Sequence, residues 1–288
     1  MSGPDTRRIA LTRDGAVAIL TFSNPPEGYM DAGTETALAE MLERVETDPS
    51  IRAVVLTGGQ DGVFIRHYDT RILEAQARKM QARGMSFDPA RPVPEPSLHV
   101  SLNRIERSPK PYVAAINGAA MGGGYELALA CDIRIAEAGD YPIGLPEVRI
   151  GLLPGAGGTQ RLAHLIGPAK ALECILLGET FGPAEAAAMG LVNRCVDGPV
   201  LPAALALAHR LAALPAKALA HAKRLARPSA ADAGRLAEER TLFCDLMVTQ
   251  EAIDLMARMH ATGGDIRNPA GDGHGDQGAD KGGDQGAE

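Results

Sequence analysis

The sequence lacks the features that mark several classes of protein. No run of about 18 apolar residues occurs, so a conventional membrane-spanning helix is not expected. The first residues, MSGPDTRRIALTRDG, contain no apolar core of a secretory signal, and we therefore expect a cytoplasmic protein. No block of basic residues occurs and the net charge is −7, which argues against a surface that binds nucleic acid.

Cysteine is scarce, and the common nucleotide-binding fingerprints are missing. The glycine-rich segments 122–124 and 155–160 match neither GxGxxG nor GxxxxGK(S/T), so neither common phosphate-binding loop is expected. The four cysteines show neither CxxC spacing nor the density of a disulfide framework. We therefore expect reduced, mostly buried thiols and no metal site at these positions: Cys131, Cys174, Cys195 and Cys244.

Apolar patterning predicts alternating strands and helices. Continuous apolar runs predict strands at 16–22, 51–59, 111–118 and 132–139. Apolar residues at helical spacing predict helices at 32–47, 71–83 and 98–108, and the chain is predicted to be helical again from 200 to about 260. The proline-rich stretch 84–97 cannot form a regular element and is predicted to be a surface loop. A strand, a helix and a buried strand in succession are typical of a right-handed crossover unit.

These elements divide the chain into three regions. Residues 1–200 are predicted to form the core that carries the site, and residues 201–262 a helical region that serves oligomerisation. The amphipathic run 242–259 motivates the second assignment, because its apolar face must cover a core of its own chain or of a neighbour. Residues 263–288, rich in glycine and aspartate, are predicted to be a disordered tail.

Three consecutive glycines precede a predicted helix in AAMGGGYELALACDIRIA, residues 119–136. Glycine weakens a helix by roughly 1 kcal/mol relative to alanine, so its use here requires a reason. Gly122–Gly124 can permit tight packing of the helix on a strand. Alternatively, they can open the backbone N–H groups at the helix start to a ligand that develops negative charge. The glycines alone leave both interpretations open.

The neighbouring motifs carry a family resemblance. Residues 110–136, KPYVAAINGAAMGGGYELALACDIRIA, and residues 143–171, IGLPEVRIGLLPGAGGTQRLAHLIGPAKA, closely resemble the two signature segments of the crotonase family, the enoyl-CoA hydratases and isomerases. Residues 51–73, IRAVVLTGGQDGVFIRHYDTRIL, are similar to the family's first active-site segment. The resemblance covers about residues 10–200 and continues more loosely to about 260. It implies an α/β fold, a crotonase-like spiral of ββα repeats with a C-terminal helical region, and a homotrimer or homohexamer.

The resemblance also implies the chemistry. Thioester substrates of the family pass through an enolate-like state, which backbone N–H donors stabilise. Gly123 matches one donor position, and Tyr68 matches the other. Glu126 and Glu147 match the two glutamates that hydratases use around one water, whereas similar isomerases generally retain one acid–base carboxylate. The predicted activity is therefore enoyl-CoA hydration.

The predicted substrate is an acyl-CoA, and no separate cofactor is expected, because coenzyme A is part of the substrate. Positions beside the catalytic residues in the same motifs are predicted to contact it: Arg66, His67, Asp69, Gly122 and Pro146.

The sequence departs from the family pattern at two places. His67 stands where the family usually has glycine, directly before the Tyr68 donor, and histidine adopts unusual backbone angles less readily than glycine. Glu27 stands where a basic residue close to CoA is common, and the last helix offers only Arg258 and His260. Two alternatives to the hydratase therefore stay open. One is another thioester enzyme of the same fold, such as an isomerase, dehydratase, dehalogenase or hydrolase; the other is a non-catalytic acyl-CoA-binding protein.

Overall fold

The computed structural model describes residues 8–226, 233–263 and 265–269. These residues form ten strands: β1 (Ile9–Asp14), β2 (Val17–Phe22), β3 (Ala53–Gly58), β4 (Gly62–Ile65), β5 (Tyr112–Ile116), β6 (Gly118–Met121), β7 (Ile133–Glu137), β8 (Ile143–Gly144), β9 (Thr180–Phe181) and β10 (Arg194–Val196). They also form a short 3-10 helix, Glu147–Ile150, and eleven α-helices: α1 (Ala32–Thr47), α2 (Thr70–Ala82), α3 (Ser97–Arg107), α4 (Gly123–Ala130), α5 (Gly158–Ile166), α6 (Pro168–Leu177), α7 (Pro183–Met189), α8 (Val200–Ala213), α9 (Ala216–Ala226), α10 (Ala233–Met247) and α11 (Gln250–Ala261).

The strands form two sheets, and the chain passes repeatedly from one to the other. The first sheet has the order β1-β2-β3-β5-β7-β10 and is parallel except for the β1–β2 hairpin. The second has the order β4-β6-β8-β9. In three successive turns the chain runs through one strand of each sheet, β3–β4, β5–β6 and β7–β8, and then into helical structure. This succession gives the predicted spiral of ββα repeats rather than a doubly wound open sheet.

The longer predicted elements are confirmed. Helix α1 has the predicted bounds because Asp31 caps it, accepting from the Thr34 amide at 2.8 Å, while Leu38 and Leu42 lie one turn apart in the core. Helices α2 and α3 each begin one residue before the predicted start, and residues 84–95 contain no helix or strand. Strands β1 and β10 and the strands of the second sheet were not predicted.

The continuous apolar run of β3 is explained by burial of both faces of the first sheet. Ala53 and Val55 pack with α8 residues, whereas Val54 and Leu56 lie in the main core together with Leu42 of α1. Successive strand side chains point to opposite faces, so a strand covered on both sides needs apolar residues at every position.

Helices α8 and α9 are rich in alanine and leucine. Helix α8 buries Val200, Ala204 and Ala208 against the first sheet. Within the described ranges, no single helix is long and apolar enough to cross a membrane. Only α8 and α9 together meet that requirement of length and composition, and the two helices are bent by 110° relative to each other.

The amphipathic C-terminal helix covers a core of its own chain. Ile253 and Met256 of α11 are fully buried, in a cluster with Ala77 of α2 and Ile150. The face that motivated the assignment of an oligomerisation region is therefore occupied within one chain. The homotrimer or homohexamer stays a prediction.

The predicted start of the disordered tail at residue 263 is wrong for the segment 265–269. Ile266 is 2% exposed and lies in the same cluster as Met256 and Met259. This single apolar side chain within a polar segment is inserted into the protein, so it contributes to the core in spite of its neighbours' composition. Residue 264 and residues 270–288 lie outside the described part of the chain.

Candidate active site

The three glycines at the start of α4 have different roles. Gly122 caps the helix with φ of +48°, a conformation that glycine adopts readily. At Gly124, a Cβ atom would lie 2.0 Å from the carbonyl oxygen of Ile65, so only glycine permits this approach of α4 to β4. At Gly123, a Cβ atom would lie 3.9 Å from the Tyr68 amide nitrogen. Gly124 thus serves close packing, and Gly123 brings the helix start beside Tyr68.

Two backbone N–H groups are available at this junction. The Met30 amide donates to the carbonyl of His67 and the Asp69 amide donates to the carbonyl of Met30, each at 2.8 Å. The Tyr68 amide between them does not take part in this pairing. Neither it nor the Gly123 amide in the first turn of α4 has a hydrogen-bond partner among the described residues. Such a pair of donors, one at a helix N-terminus, suits an oxygen that gains negative charge.

Glu126 lies in the first turn of α4 and is buried. Its Oε1 accepts hydrogen bonds from the amides of Ala156 and Gly158, at 2.7 and 2.8 Å. Burial raises the pKa of Glu126, and these two bonds and the nearby Arg161 guanidinium act against that rise by favouring the carboxylate.

Glu147 begins the 3-10 helix and is also buried, but it has fewer partners. Its Oε2 has no hydrogen-bond partner in the part of the chain that the structure describes. Burial, and secondly the negative charge of Glu126, hold the pKa of Glu147 well above its usual range. The two glutamates therefore differ in the protonation state that their surroundings favour. The surroundings of Glu126 favour the carboxylate more than those of Glu147 do, and those of Glu147 favour the neutral acid.

One cavity of about 220 Å³ contains most of the predicted site residues. Those that line it are His67, Tyr68, Gly122, Gly123, Glu126 and Glu147. The remaining walls are largely apolar and come from distant parts of the chain: Leu73, Val93, Pro96, Leu98, Ile150, Leu152, Phe243, Met247 and Ile266. The arrangement can hold an apolar chain beside two carboxyl groups and two N–H donors.

The chain is similar to known proteins along most of its length. The family profile described as Enoyl-CoA hydratase/isomerase matches residues 12–255. The chain belongs to the enoyl-CoA hydratase/isomerase family. A protein of Bacillus subtilis named "Probable enoyl-CoA hydratase" is 39% identical over 189 residues, which are 64% of this chain and 67% of that protein.

Other relatives differ in length or in named activity. The "Fatty acid oxidation complex subunit alpha" of Shewanella putrefaciens is 40% identical over 192 residues, 66% of this chain, and the match spans only 26% of that subunit. A solved structure titled human mitochondrial delta3-delta2-enoyl-CoA isomerase has a TM-score of 0.72 and 29% identity, and covers 88% of this chain and 96% of its own. The fold is therefore the crotonase fold, as expected.

Three predicted substrate contacts of this family member do not line the cavity. The Nε atom of Arg66 donates to the carbonyl of Glu27 at 2.9 Å. The Asp69 carboxylate caps α2 by accepting from the Arg71 amide at 3.0 Å, and it forms an ion pair with the same residue's side chain. Pro146 is buried and caps the 3-10 helix that begins with Glu147. All three position the segments that carry the site.

His260, one of the few basic candidates for CoA, has partners within the protein. Its Nδ1 lies 2.7 Å from Glu74 Oε2 and its Nε2 lies 2.9 Å from Thr70 Oγ1. The contacts fasten α11 to α2. Within the described ranges, no group of three His, Cys, Asp or Glu side chains is arranged to hold a metal ion.

Sequence reasoning missed a third buried glutamate, Glu239 of α10. It accepts hydrogen bonds from the amide of Gly157 and the hydroxyl of Thr159, while Glu126 accepts from the amides of Ala156 and Gly158. The two carboxyl groups thus bind alternating residues at the end of the loop before α5 and at the start of that helix. Burial, and secondly the charge of Glu126, raise the pKa of Glu239 to about 7. No local motif marks Glu239, because its partners lie about 80 residues away in the sequence.

We expect Glu239→Gln to change how stability depends on pH. The pKa rises from 4.5 to about 7 on folding, so the folded chain holds this proton more tightly and wild-type stability falls as pH rises through that interval. Glutamine keeps an oxygen that can accept from the Gly157 amide, but its side chain does not bind or release a proton in this pH range. The stability of the variant relative to wild type should increase by up to about 3 kcal/mol between pH 4 and pH 8, measured by urea unfolding.

The control for this prediction is Glu238→Gln, which changes the exposed neighbour on the same helix. It should show no such increase with pH. A difference between Glu239→Gln and wild type that is the same at every pH would contradict the prediction.

Proposed function

We propose that the protein catalyses the addition of water across the 2,3 double bond of a 2-enoyl-CoA thioester. The observation that carries this proposal is the contrast between Glu126, which accepts two N–H bonds, and Glu147, whose surroundings favour the neutral acid, in one cavity beside the Tyr68 and Gly123 amides. Hydration needs one group that accepts a proton from water and one that delivers a proton to carbon, and the pair supplies both.

The reaction follows from these positions. The thioester oxygen accepts hydrogen bonds from the Tyr68 and Gly123 amides, which stabilise the enolate that forms on addition. The Glu126 carboxylate takes a proton from water while the water oxygen bonds to C3. The neutral Glu147 then gives its proton to C2 as the enolate collapses to the saturated thioester. Return of the proton from Glu126 to Glu147 restores the starting state, and the net change is addition of one water.

The apolar wall of the cavity suits the acyl chain. Val93 and Pro96 come from the proline-rich stretch before α3, and Phe243 and Met247 come from α10. The Val93 backbone is bound to α10: its amide donates to Thr241 Oγ1 at 3.1 Å, and its carbonyl accepts from Arg240 Nε at 2.9 Å. The proposed acyl pocket is therefore shaped by a loop and a helix that hold each other in place.

Double-bond isomerisation is the second candidate. Glu147 Oε2 is buried without a hydrogen-bond partner among the described residues, so this one carboxyl group is free to move a proton between two carbons of a 3-enoyl thioester. The family includes both activities in its description.

Two absorbance assays separate the candidates. A hydratase removes the absorbance of the conjugated enoyl thioester when given 2-enoyl-CoAs of increasing chain length, whereas an isomerase creates it from 3-enoyl-CoAs. We expect the first activity to exceed the second for the best substrate. Turnover of 3-enoyl-CoA alone would overturn the hydratase proposal, and turnover of neither would favour a protein that binds acyl-CoA without reaction.

We also propose that the protein acts in the cytoplasm as a homotrimer or as a dimer of trimers. The support is the family membership. Light scattering at micromolar concentration tests the assembly, and a mass of one chain would contradict it.

A further inference from the structure

The hydrogen bond of His67 fixes which ring nitrogen carries its proton. His67 Nδ1 lies 2.7 Å from the carbonyl oxygen of Tyr68. A carbonyl oxygen can only accept, so Nδ1 must be the donor. In a neutral imidazole the other nitrogen, Nε2, then has a lone pair and no proton.

The surroundings keep this imidazole neutral at physiological pH. His67 is 3% exposed, and burial lowers its pKa to about 4. Arg66 acts in the same direction, whereas the Tyr68 carbonyl, Asp69 and Asp265 act against it without overcoming the effect of burial. Nε2 is therefore an acceptor.

The imidazole ring is fixed at the wall of the cavity. The Tyr29 ring packs on the imidazole with centroids 4.6 Å apart, and the Arg71 guanidinium lies 5.4 Å from the centroid of the Tyr29 ring. His67 lines the cavity, and its Nε2 is buried with no hydrogen-bond partner within the described ranges. A buried acceptor without a donor is costly, which indicates that a ligand group completes it.

Glu147, which also lines the cavity, lies next to His67. A Cβ atom on Gly122 would lie 3.0 Å from Glu147 Oε1 and 3.7 Å from the Cβ of His67, so the two side chains flank one glycine. Glu147 Oε2, like His67 Nε2, has no partner in the described part of the protein. A ligand hydroxyl group between these two side chains can accept a hydrogen bond from the neutral acid of Glu147 and donate one to the imidazole of His67.

We propose that His67 Nε2 accepts a hydrogen bond from the C3 hydroxyl of a 3-hydroxyacyl thioester, and so selects this ligand over the acyl thioester that lacks the hydroxyl. This inference rests on the proposed hydration, in which the same hydroxyl is the oxygen of the added water. His67 is then a substrate-contacting residue in place of the glycine usual in the family. The contact adds affinity for the hydroxylated ligand alone.

Calorimetric binding of two matched ligands tests the contact. In the Glu126→Gln background, which slows loss of the hydroxyl by dehydration, 3-hydroxyhexanoyl-CoA is compared with hexanoyl-CoA. We expect His67→Phe to weaken binding of the hydroxylated ligand by about tenfold and to leave hexanoyl-CoA unchanged, because phenyl keeps the ring without the acceptor. His67→Gln should restore most of the affinity, since its amide oxygen can replace Nε2.

The matched control is His164→Gln. His164 also places Nδ1 against a backbone carbonyl, that of Gln160 at 2.9 Å, but it does not line this cavity. It should leave both affinities unchanged. If His67→Phe weakens the binding of both ligands equally, the imidazole contacts a part that the two ligands share, and the proposal is overturned. It is also overturned if His67→Phe weakens the binding of neither ligand, or if the Glu126→Gln protein with His67 intact does not bind the hydroxylated ligand.

A measurement on the parent protein avoids dependence on the folding of the His67 variants. The 15N NMR spectrum of protein labelled with 15N at its histidines should show an unprotonated Nε2 for His67. This signal should shift when 3-hydroxyhexanoyl-CoA is added and should not shift when hexanoyl-CoA is added. A protonated Nε2, or equal shifts with both ligands, contradicts the inference. Selective binding of the hydroxylated ligand by a protein without enoyl-CoA turnover would instead reject the proposed hydration and keep the contact.

Discussion

Replacing Glu147 by glutamine should lower kcat for 2-enoyl-CoA hydration by about 10²–10⁴-fold while leaving the fold intact. Burial and the charge of Glu126 favour the neutral form of Glu147, and a glutamine amide has nearly the same shape and charge as that neutral acid. The variant therefore keeps the packing and loses the proton that C2 must receive. Initial rates and thermal unfolding of the same preparation measure the two effects separately.

The companion variants identify the role of the second carboxyl group. Glu126→Gln should lose a similar factor, and the double variant should lose less than the product of the single losses, because both groups act on one reaction. Glu185→Gln, at an exposed position of α7, is the control and should leave the rate unchanged. Full hydration by Glu147→Gln together with loss in Glu126→Gln would show that the two-carboxylate mechanism is wrong.

Gly124→Ala should have the largest effect among glycine substitutions at this site. The new methyl group would lie 2.0 Å from the Ile65 carbonyl oxygen, and a backbone atom cannot give way as a flexible side chain can. Relief of the overlap must separate α4 from β4, and it carries the Gly123 amide away from the Tyr68 amide. We expect a loss of stability of about 3 kcal/mol or more and a loss of activity of about 10²–10³-fold, measured by chemical unfolding and initial rates.

The matched control for Gly124→Ala is Gly182→Ala. Gly182 has φ of −67°, and apart from its two chain neighbours no described residue has an atom within 4 Å of the position that a Cβ would take, so alanine fits there without strain. Its stability and activity should match wild type. If Gly124→Ala were equally harmless, the close approach of α4 to β4 would not be what sets the position of the two amides.

Local signals were sufficient for the longer elements. Helix α1 has a capping aspartate and apolar residues one turn apart, and β3 has an apolar run that only a doubly covered strand explains. The short strands of the second sheet contain two to four residues, among them Gly118 and Gly144, so no alternation could develop. Those strands form because they pair with segments that are distant in the sequence. Such pairing leaves no periodic pattern in the sequence itself.

The site was predictable where it lies in motifs and not where it depends on tertiary contacts. Glu126, Glu147, Gly122 and Gly123 stand in long segments with a family resemblance, and all four line one cavity. Neither Glu239 nor Ile266 stands in a local pattern. Ile266 lines the cavity because residues 265–269 fold back onto it, and Glu239 of α10 binds Gly157, next to the residues that bind Glu126. The polar composition of the C-terminal segment predicted disorder, whereas Ile266 is buried.

The walls contributed by α10 and Ile266 have a consequence for how the cavity opens. Among the described residues, no strand pairing joins α10, α11 or residues 265–269 to the two sheets, and their contacts are side-chain packing and isolated hydrogen bonds such as Thr70–His260. Such a unit can unfold locally at a lower free energy than the sheets. Ligand that occupies the cavity stabilises the closed form by mass action. Amide hydrogen exchange in α10 and α11 should therefore slow when ligand is bound.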